Sequence, residues 1–525
     1  MGDENRGWKW WQKVGLAGGL LFFALVALLI GMRRPWIEPL PGIRTAMTRP
    51  FVRESDLGPD SAYRLLLAAI EDPSEPPPEE PFAPEPDPET GWAPVESPPE
   101  PGRIWSVDWS EALTKLKHHP WPPKPPPAAG DSPPDPEGPW TLAQYEDIER
   151  LARLYEPKMA MLDQALAAPN PQVPTADRPD FPDAYLKSVR QMARWLAVSA
   201  HYRAAHGDYA GSCRDLERGL SVGNLVCRGG GVINNLVGIA CAAIAADAGR
   251  TMATQHELPV PVLKRAGASF LTAADGGEPF VEVMRAEATG GAGMIAETFR
   301  QASREALEGV PAAARGTLHM TQPFLAVLLH FAGSAPEDTA RNMGSFYQHL
   351  VKIADQPYSA AVQTEYEDFA RDLNATSRNP LRVVLRTRDP IGLILTSMLV
   401  SSLTHTHQKA AQRDAMLRGM ALFLAIHAYE QERGALPETL DQLVPDYLPR
   451  VPSDPFDGKP FRYLRSGVPG LPPEAWAVYS IGGDFADDGG DAHSVGTPRD
   501  REGTNPDLVW PSQGYPLLDD GTEIE

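Results

Sequence analysis

The densest chemistry in the chain is carboxylate. Asp484, Asp487, Asp488 and Asp491 set four acidic side chains within eight residues, on a stretch interrupted by Gly482, Gly483, Gly489 and Gly490. Hard cations take six to eight oxygens, and several carboxylates on a glycine-rich loop can wrap one. The same residues also read as a solvated acidic turn. Set against an EF-hand loop, Asp484, Asp488 and Gly489 fit positions one, five and six, but Ala486 and Val495 stand at three and twelve, so the loop is not an EF-hand. Elsewhere the chemistry is dispersed. His405 and His407 are two apart and point to different faces of a helix. Cys213, Cys227 and Cys241 are odd in number and too widely spaced for CxxC chemistry, so they indicate neither a disulfide framework nor a zinc knuckle; in helical text they read as small core residues. HExxH, GxSxG, P-loop and GxGxxG patterns are absent from the sequence. No catalytic residue is assigned, and an active site would have to be assembled from scattered positions.

The charge balance narrows the partners. The 525 residues carry a formal charge of -21. Glu71–Glu100 holds ten acidic residues and no basic one, and Asp484–Glu525 holds eleven against Arg499 and Arg501. These two segments account for nearly all of the excess. A near-neutral body with acidic appendages has no basic stripe for phosphates, which argues against nucleic acid as a partner. Length suggests two to four domains, and 55 prolines say that part of the chain is not globular.

The elements that must hold these residues follow from periodicity. Val14–Met32 is uncharged, long enough to cross a bilayer as a helix, flanked by Trp8, Trp10, Trp11 and Trp36, and closed by Arg33 and Arg34. It reads as a single-pass membrane anchor (1–36), followed by a juxtamembrane segment (37–71) with a short helix at Ser61–Ile70. Residues 72–140 form an acidic proline-rich linker, with 22 prolines between Pro73 and Pro139. Ile104–Lys117 interrupts the linker with tryptophans and a helix-like patch suited to docking on the main domain. Residues 141–388 read as an all-α domain, opened by a Thr141 cap and running through helices near 184–205, 209–226, 232–253, 259–274, 280–307, 321–331 and 338–353. Asn234, Asn235 and Asp247 argue that the apolar 232–253 helix is buried in the fold and not a second span. The pair 184–205 and 209–226, with Trp195, Tyr202, Gly207, Tyr209 and Leu216, resembles a tetratricopeptide hairpin, without a second copy at that period. Asp389-Pro390 opens a long helix that Gly434 can stop.

From Ala421 to Asp507 the sequence resembles the globular part of type II secretion major pseudopilins. The matching text is HAYEQERGALPETLDQLVPDYL, PRVPSDPFDGKPFRY, AVYSIGGDFADDGGD and DLVW. The resemblance implies a helix on a small antiparallel sheet over 389–525, with strands near Pro460–Leu464 and Ala475–Ile481. It also implies calcium as a cofactor, held by Asp484, Asp488, Asp491 and Asp507, with Asp487 a further candidate. Pseudopilins begin with a basic leader, a Gly–Phe junction and a glutamate five residues into the apolar helix, and this chain has none of these at its N-terminus or near Ile391.

The sequence is therefore expected to be mainly α, with an N-terminal transmembrane helix, a proline-rich linker, an all-α domain and a small α+β pseudopilin-like end. The whole resembles membrane-anchored bacterial proteins without assigned activity. The expected role is a non-enzymatic scaffold or interaction protein of the bacterial inner membrane, in contact with other envelope proteins. The calcium-binding resemblance places its C-terminal region in the periplasm, while the arginines after the span lean the other way. Two other readings stand beside it: an enzyme with a site near the Gly229–Asn235 break, and a peptide-binding helical module lined by Trp195–Leu220.

Overall fold

A computed structural model describes residues 52, 56–70, 109–122, 124–126, 140–169, 171–174, 183–290, 336–377, 390–491 and 507–513. The Val14–Met32 span, most of the proline-rich linker and the 321–331 helix lie outside the described residues. The described protein is mainly α-helical. Its helices are α1 (Ala62–Ile70), α2 (Ser110–His118), α3 (Leu142–Ala167), α4 (Asp183–Ala205), α5 (Tyr209–Cys227), α6 (Val232–Gln255), α7 (Val260–Asp275), α8 (Pro336–Ala354), α9 (Ala360–Ser377) and α10 (Pro390–Arg433). Residues 280–290 are also helical. The strands are β1 (Arg462–Leu464), β2 (Ala477–Ser480) and β3 (Leu508–Pro511). By packing, the chain divides into Met1–Thr48, Gly291–His349 and Phe369–Ser401 on the one hand, and Arg49–Gly290, Leu350–Asp368 and Ser402–Glu525 on the other.

In the first unit, Phe346 stacks on Phe369 at 5.8 Å between ring centres, and His349 lies 4.3 Å from the same ring. The second unit holds the elements that position the acidic loop. α3 starts where the sequence expects, with a reciprocal box: Thr141 Oγ1 accepts from the Gln144 amide, and Gln144 Oε1 accepts from the Thr141 amide. It buries Tyr145, Ile148, Leu151, Tyr155, Met159 and Leu162, spaced by three or four. Asp208 caps α5 by accepting from the Gly211 amide, after a turn that Gly207 makes at φ +77°.

α4, α5 and α6 form the centre of this unit. A buried carboxylate, Asp215 of α5, accepts from Ser199 Oγ (2.7 Å) and Arg203 Nε (3.0 Å) of α4 and from Arg218 Nη1 (2.7 Å). Arg218 also makes a two-point bond to Asp163 of α3. Three helices are thus tied through one paired charge, which removing a partner would leave uncompensated. α5 and α6 cross at Gly223 and Gly238: a Cβ on Gly238 would sit 2.5 Å from the Gly223 carbonyl oxygen. α6 is long and apolar enough to cross a membrane by length and composition. It packs on α4 and α5, and Asn234 donates to Tyr185 Oη (2.6 Å) and to the Val226 carbonyl (3.1 Å).

Part of the stretch read as linker belongs to this core. Trp109 packs against Trp195 at 4.9 Å, and Trp121 stacks on Tyr145 at 5.0 Å and meets Trp140 edge-on at 4.6 Å. The boundary placed at 388/389 does not separate two packed bodies either. α10 is a single helix of 44 residues, and Met420–Ile426 of it is buried on every side. One face meets α7, where Gly267 leaves room for the Ala421 carbonyl and Leu424. The other meets the sheet, with Gly419 under Trp510 and Phe423 5.6 Å from Trp476.

The sheet is antiparallel in the order β1-β2-β3, with Tyr463 opposite Val478 and Val478 opposite Trp510. Its second face closes over a small cluster of Val468, Ala477, Tyr479 and Val509. Gly434 ends α10 at φ +70°, and its amide donates to the Glu430 carbonyl. α9 has no counterpart among the helices read from the sequence.

Candidate functional site

The turn at Asp454-Pro455-Phe456 and the end of β2 converge on Asp454, which is fully buried. Its Oδ1 accepts from the Phe456 amide (3.0 Å) and Ser480 Oγ (2.9 Å); its Oδ2 accepts from the Ile481 amide (3.0 Å) and Arg462 Nη1 (3.1 Å). A carboxylate with four donors can be held in a protein interior that would otherwise exclude its charge. This carboxylate joins the Asp454-Pro455-Phe456 turn to the Ser480-Ile481-Gly482 end of β2, 26 residues away. Arg462 continues the chain of charges outward: Nη2 meets Asp457 Oδ2 at 2.6 Å, and Nε lies 3.6 Å from Asp487 Oδ2.

The acidic loop follows directly. Asp484 Oδ1 accepts from the Ala486 amide, an Asx turn. Phe485 adopts a left-handed backbone (φ 63°), costly for a bulky side chain, and its ring lies 5.7 Å from Tyr358 and 6.0 Å from Phe456. Asp487 Oδ1 accepts from Tyr479 Oη (3.1 Å) and the Gly489 amide (3.1 Å). Asp488 is exposed, and Asp491 lies at the end of the described loop.

Asp507 reaches the loop from the start of β3. It is buried; Oδ2 accepts from the Gly490 amide at 2.8 Å, and Oδ1 has no hydrogen-bond partner. Burial pushes its carboxyl up to about 6; the Gly490 and Asp488 amides oppose this, and the Asp488 and Asp487 charges add to it. The structure therefore brings Asp487, Asp488 and Asp507 into one electrostatic neighbourhood. Among the described residues no three His, Cys, Asp or Glu side chains converge closely enough to hold a metal ion.

The other candidates have packing roles. Burial pushes the thiols of Cys213, Cys227 and Cys241 up to about 12, away from nucleophile chemistry. His407 stacks on Phe280 (4.4 Å), with Tyr366 Oη 3.3 Å from its Nδ1, and burial pushes it down to about 4. At the Gly229–Asn235 break, Glu287 accepts from the Val232 amide (2.8 Å) and so caps α6 from 55 residues away, a partner the local sequence does not reveal. The Trp195–Leu220 hairpin is covered on its apolar faces, with Trp195, Leu196, Leu216 and Leu220 all buried. No family model, curated protein or solved structure matches the chain.

Proposed function

We propose that the protein is a single-pass, membrane-anchored scaffold of the bacterial inner membrane, non-enzymatic, whose pseudopilin-like end is a fixed part of its helical body and serves contact with other envelope proteins. The observation that carries this reading is the burial of Met420–Ile426 of α10 between α7 and the sheet. A subunit that polymerises through its long helix needs that helix accessible; here its C-terminal half is used up within the fold. The helix, the Asp454 knot and the antiparallel sheet support the pseudopilin likeness, and the uncharged Val14–Met32 run supports the anchor. Full-length protein should pellet with membranes, resist extraction by high salt, and enter detergent as discrete particles. A soluble pool, or sedimentable filaments after extraction, would overturn the proposal.

A second reading concerns the loop: calcium, bound through Asp507 and its neighbours Asp488, Asp491 and Asp484, with Asp487 held by Arg462 and Tyr479. The observation favouring it is the buried, unpartnered Asp507 Oδ1. The chemistry supplied would be charge neutralisation. Full-length protein should melt higher in millimolar calcium than in chelator, by about 2.7 kcal/mol at a hundredfold excess over Kd. Asp507→Asn should abolish that difference. Equal melting in calcium and chelator leaves the solvated acidic turn.

A further inference from the structure

Ile233 (56%) and Leu236 (40%) of α6 are the two exposed large hydrophobic residues among those described. They stand at i and i+3, on one face of the helix, and half-buried Val237, Ala240 and Ile244 continue that face. From Val232 to Ala246 the helix carries no Asp, Glu, Lys or Arg. The first half of α6 therefore turns an uncharged aliphatic strip outward.

A basic strip lies beside it. On α4, Lys187, Arg190 and Arg194 follow at i, i+3 and i+7. Lys187 and Arg190 are exposed, and among the described residues neither has a hydrogen-bond or ion-pair partner. α4 and α6 pack on each other, and the Asn234–Tyr185 bond (2.6 Å) sets their N-terminal ends side by side. The Arg190 and Arg194 charges reach Cys241, on the flank of α6 next to the aliphatic strip, so the two strips are neighbours. The acidic groups at the two ends of the strip are engaged elsewhere: Glu287 accepts from the Val232 amide (2.8 Å), and Asp247 pairs with Lys117 (3.1 Å).

Given the anchor reading of Val14–Met32, on which this rests, we propose that this face of α4 and α6 docks on the anionic surface of the lipid bilayer. Lys187 and Arg190 then meet lipid phosphates, and Ile233 and Leu236 enter the boundary between headgroups and acyl chains. Position, chemistry and area favour lipid. Tyr63 of α1 meets Tyr185 edge-on at 5.5 Å, so the chain coming from the span joins the body at this end of α4 and α6. Nineteen residues separate Met32 from Val52, which packs on the same core, so the tether is at most about 65 Å. The exposed apolar side chains are aliphatic, whereas the anchors of protein interfaces are mostly Trp and Tyr, with Leu under-represented. Two exposed side chains also fall far short of the roughly 800 Å² per partner of a stable protein interface. A tethered body needs less, because the anchor keeps the local concentration of lipid high.

Photo-crosslinking of the reconstituted full chain, with p-benzoylphenylalanine in place of Leu236, tests this. The vesicles are phosphatidylcholine with phosphatidylglycerol, or phosphatidylcholine alone. Lipid adducts at position 236 are expected with phosphatidylglycerol. They should be at least about fivefold fewer without it, the factor that one basic residue near an anionic surface contributes. Lys187→Glu with Arg190→Glu should lower them as far in the mixed vesicles, at an unchanged melting temperature. No lipid adduct at position 236, equal yields in the two lipids, or adducts confined to a second copy or to the chain itself would overturn the proposal. A second probe, in place of Leu21 within the span, reports on the anchor alone. Lipid adducts at position 21 with none at 236 would sink the docking face and leave the anchor standing; adducts at 236 with none at 21 would do the reverse.

Discussion

Asp454 is the residue on which the C-terminal module turns. Asp454→Ala would leave the Phe456 and Ile481 amides, Ser480 Oγ and one Arg462 nitrogen without their acceptor in a buried site. Unpaired buried donors and a broken buried ion pair cost about 3–5 kcal/mol. Urea unfolding should show a loss of that size; a loss under about 1 kcal/mol would mean the knot is ornamental. His407 makes a different prediction. Its folded-state value of about 4 lies below the ordinary 6.5, so the unfolded chain binds the proton more readily. Its stabilising contribution is complete above pH 6.5 and is lost as pH falls toward 4, at about 1.4 kcal/mol per pH unit. Because buried acids titrate with the opposite sign, the useful quantity is a difference. Between pH 6 and 4.5, wild type should lose stability more steeply than His407→Phe by about that slope. Parallel pH profiles would show that His407 is not held neutral.

At the scale of elements, the contact between α10 and β3 has a diagnostic glycine. Glycine inside a helix ordinarily costs about 1 kcal/mol relative to alanine, so Gly419→Ala should stabilise if helix propensity decides. A Cβ there would meet the Trp510 ring at 2.6 Å. The expected result is destabilisation by about 1–3 kcal/mol from overpacking, read from the denaturation midpoint. A rise in stability would mean that Trp510 does not lie over Gly419. The same elements show what a sequence reader can see. The Thr141 cap, the Gly434 stop and the strand near Ala475–Ile481 are local, and each was legible because a capping or pleating rule acts within four residues, whereas the Gln144 half of the box and the Asp208 cap went unread although the same rule covers them. α9 escaped because it is polar on most of its surface, with only Val362 and Tyr366 fully buried. Trp109 falls in the Ile104–Lys117 patch expected to dock on the main domain, while Trp121 escaped because proline-rich composition surrounds it. In the candidate site the loop carboxylates were legible as a cluster. The donors that hold Asp454, the Arg462 tie to Asp487 and the orphaned Asp507 oxygen were not, since, apart from the Phe456 amide two residues from Asp454, those pairings span 8 to 27 residues and arise only when the three strands come together.

At the scale of the whole molecule, α10 joins the C-terminal sheet to the helical body. Gly267 on α7 faces the Ala421 carbonyl at 3.2 Å from a built Cβ, and the opposite side of the same helix carries the sheet through Gly419 and Phe423. If the two parts share one core, a wedge on the α7 side must be felt in the sheet. If the end is an autonomous module, the wedge should loosen the helical body alone. Native-state hydrogen exchange on Gly267→Leu separates these outcomes, because exchange reports opening free energies amide by amide. The account predicts that protection falls together, by about ten- to a hundredfold, for α7 amides at Phe270–Ala274 and for β2 amides at Ala477–Tyr479. Loss of protection in α7 with β2 unchanged would contradict it.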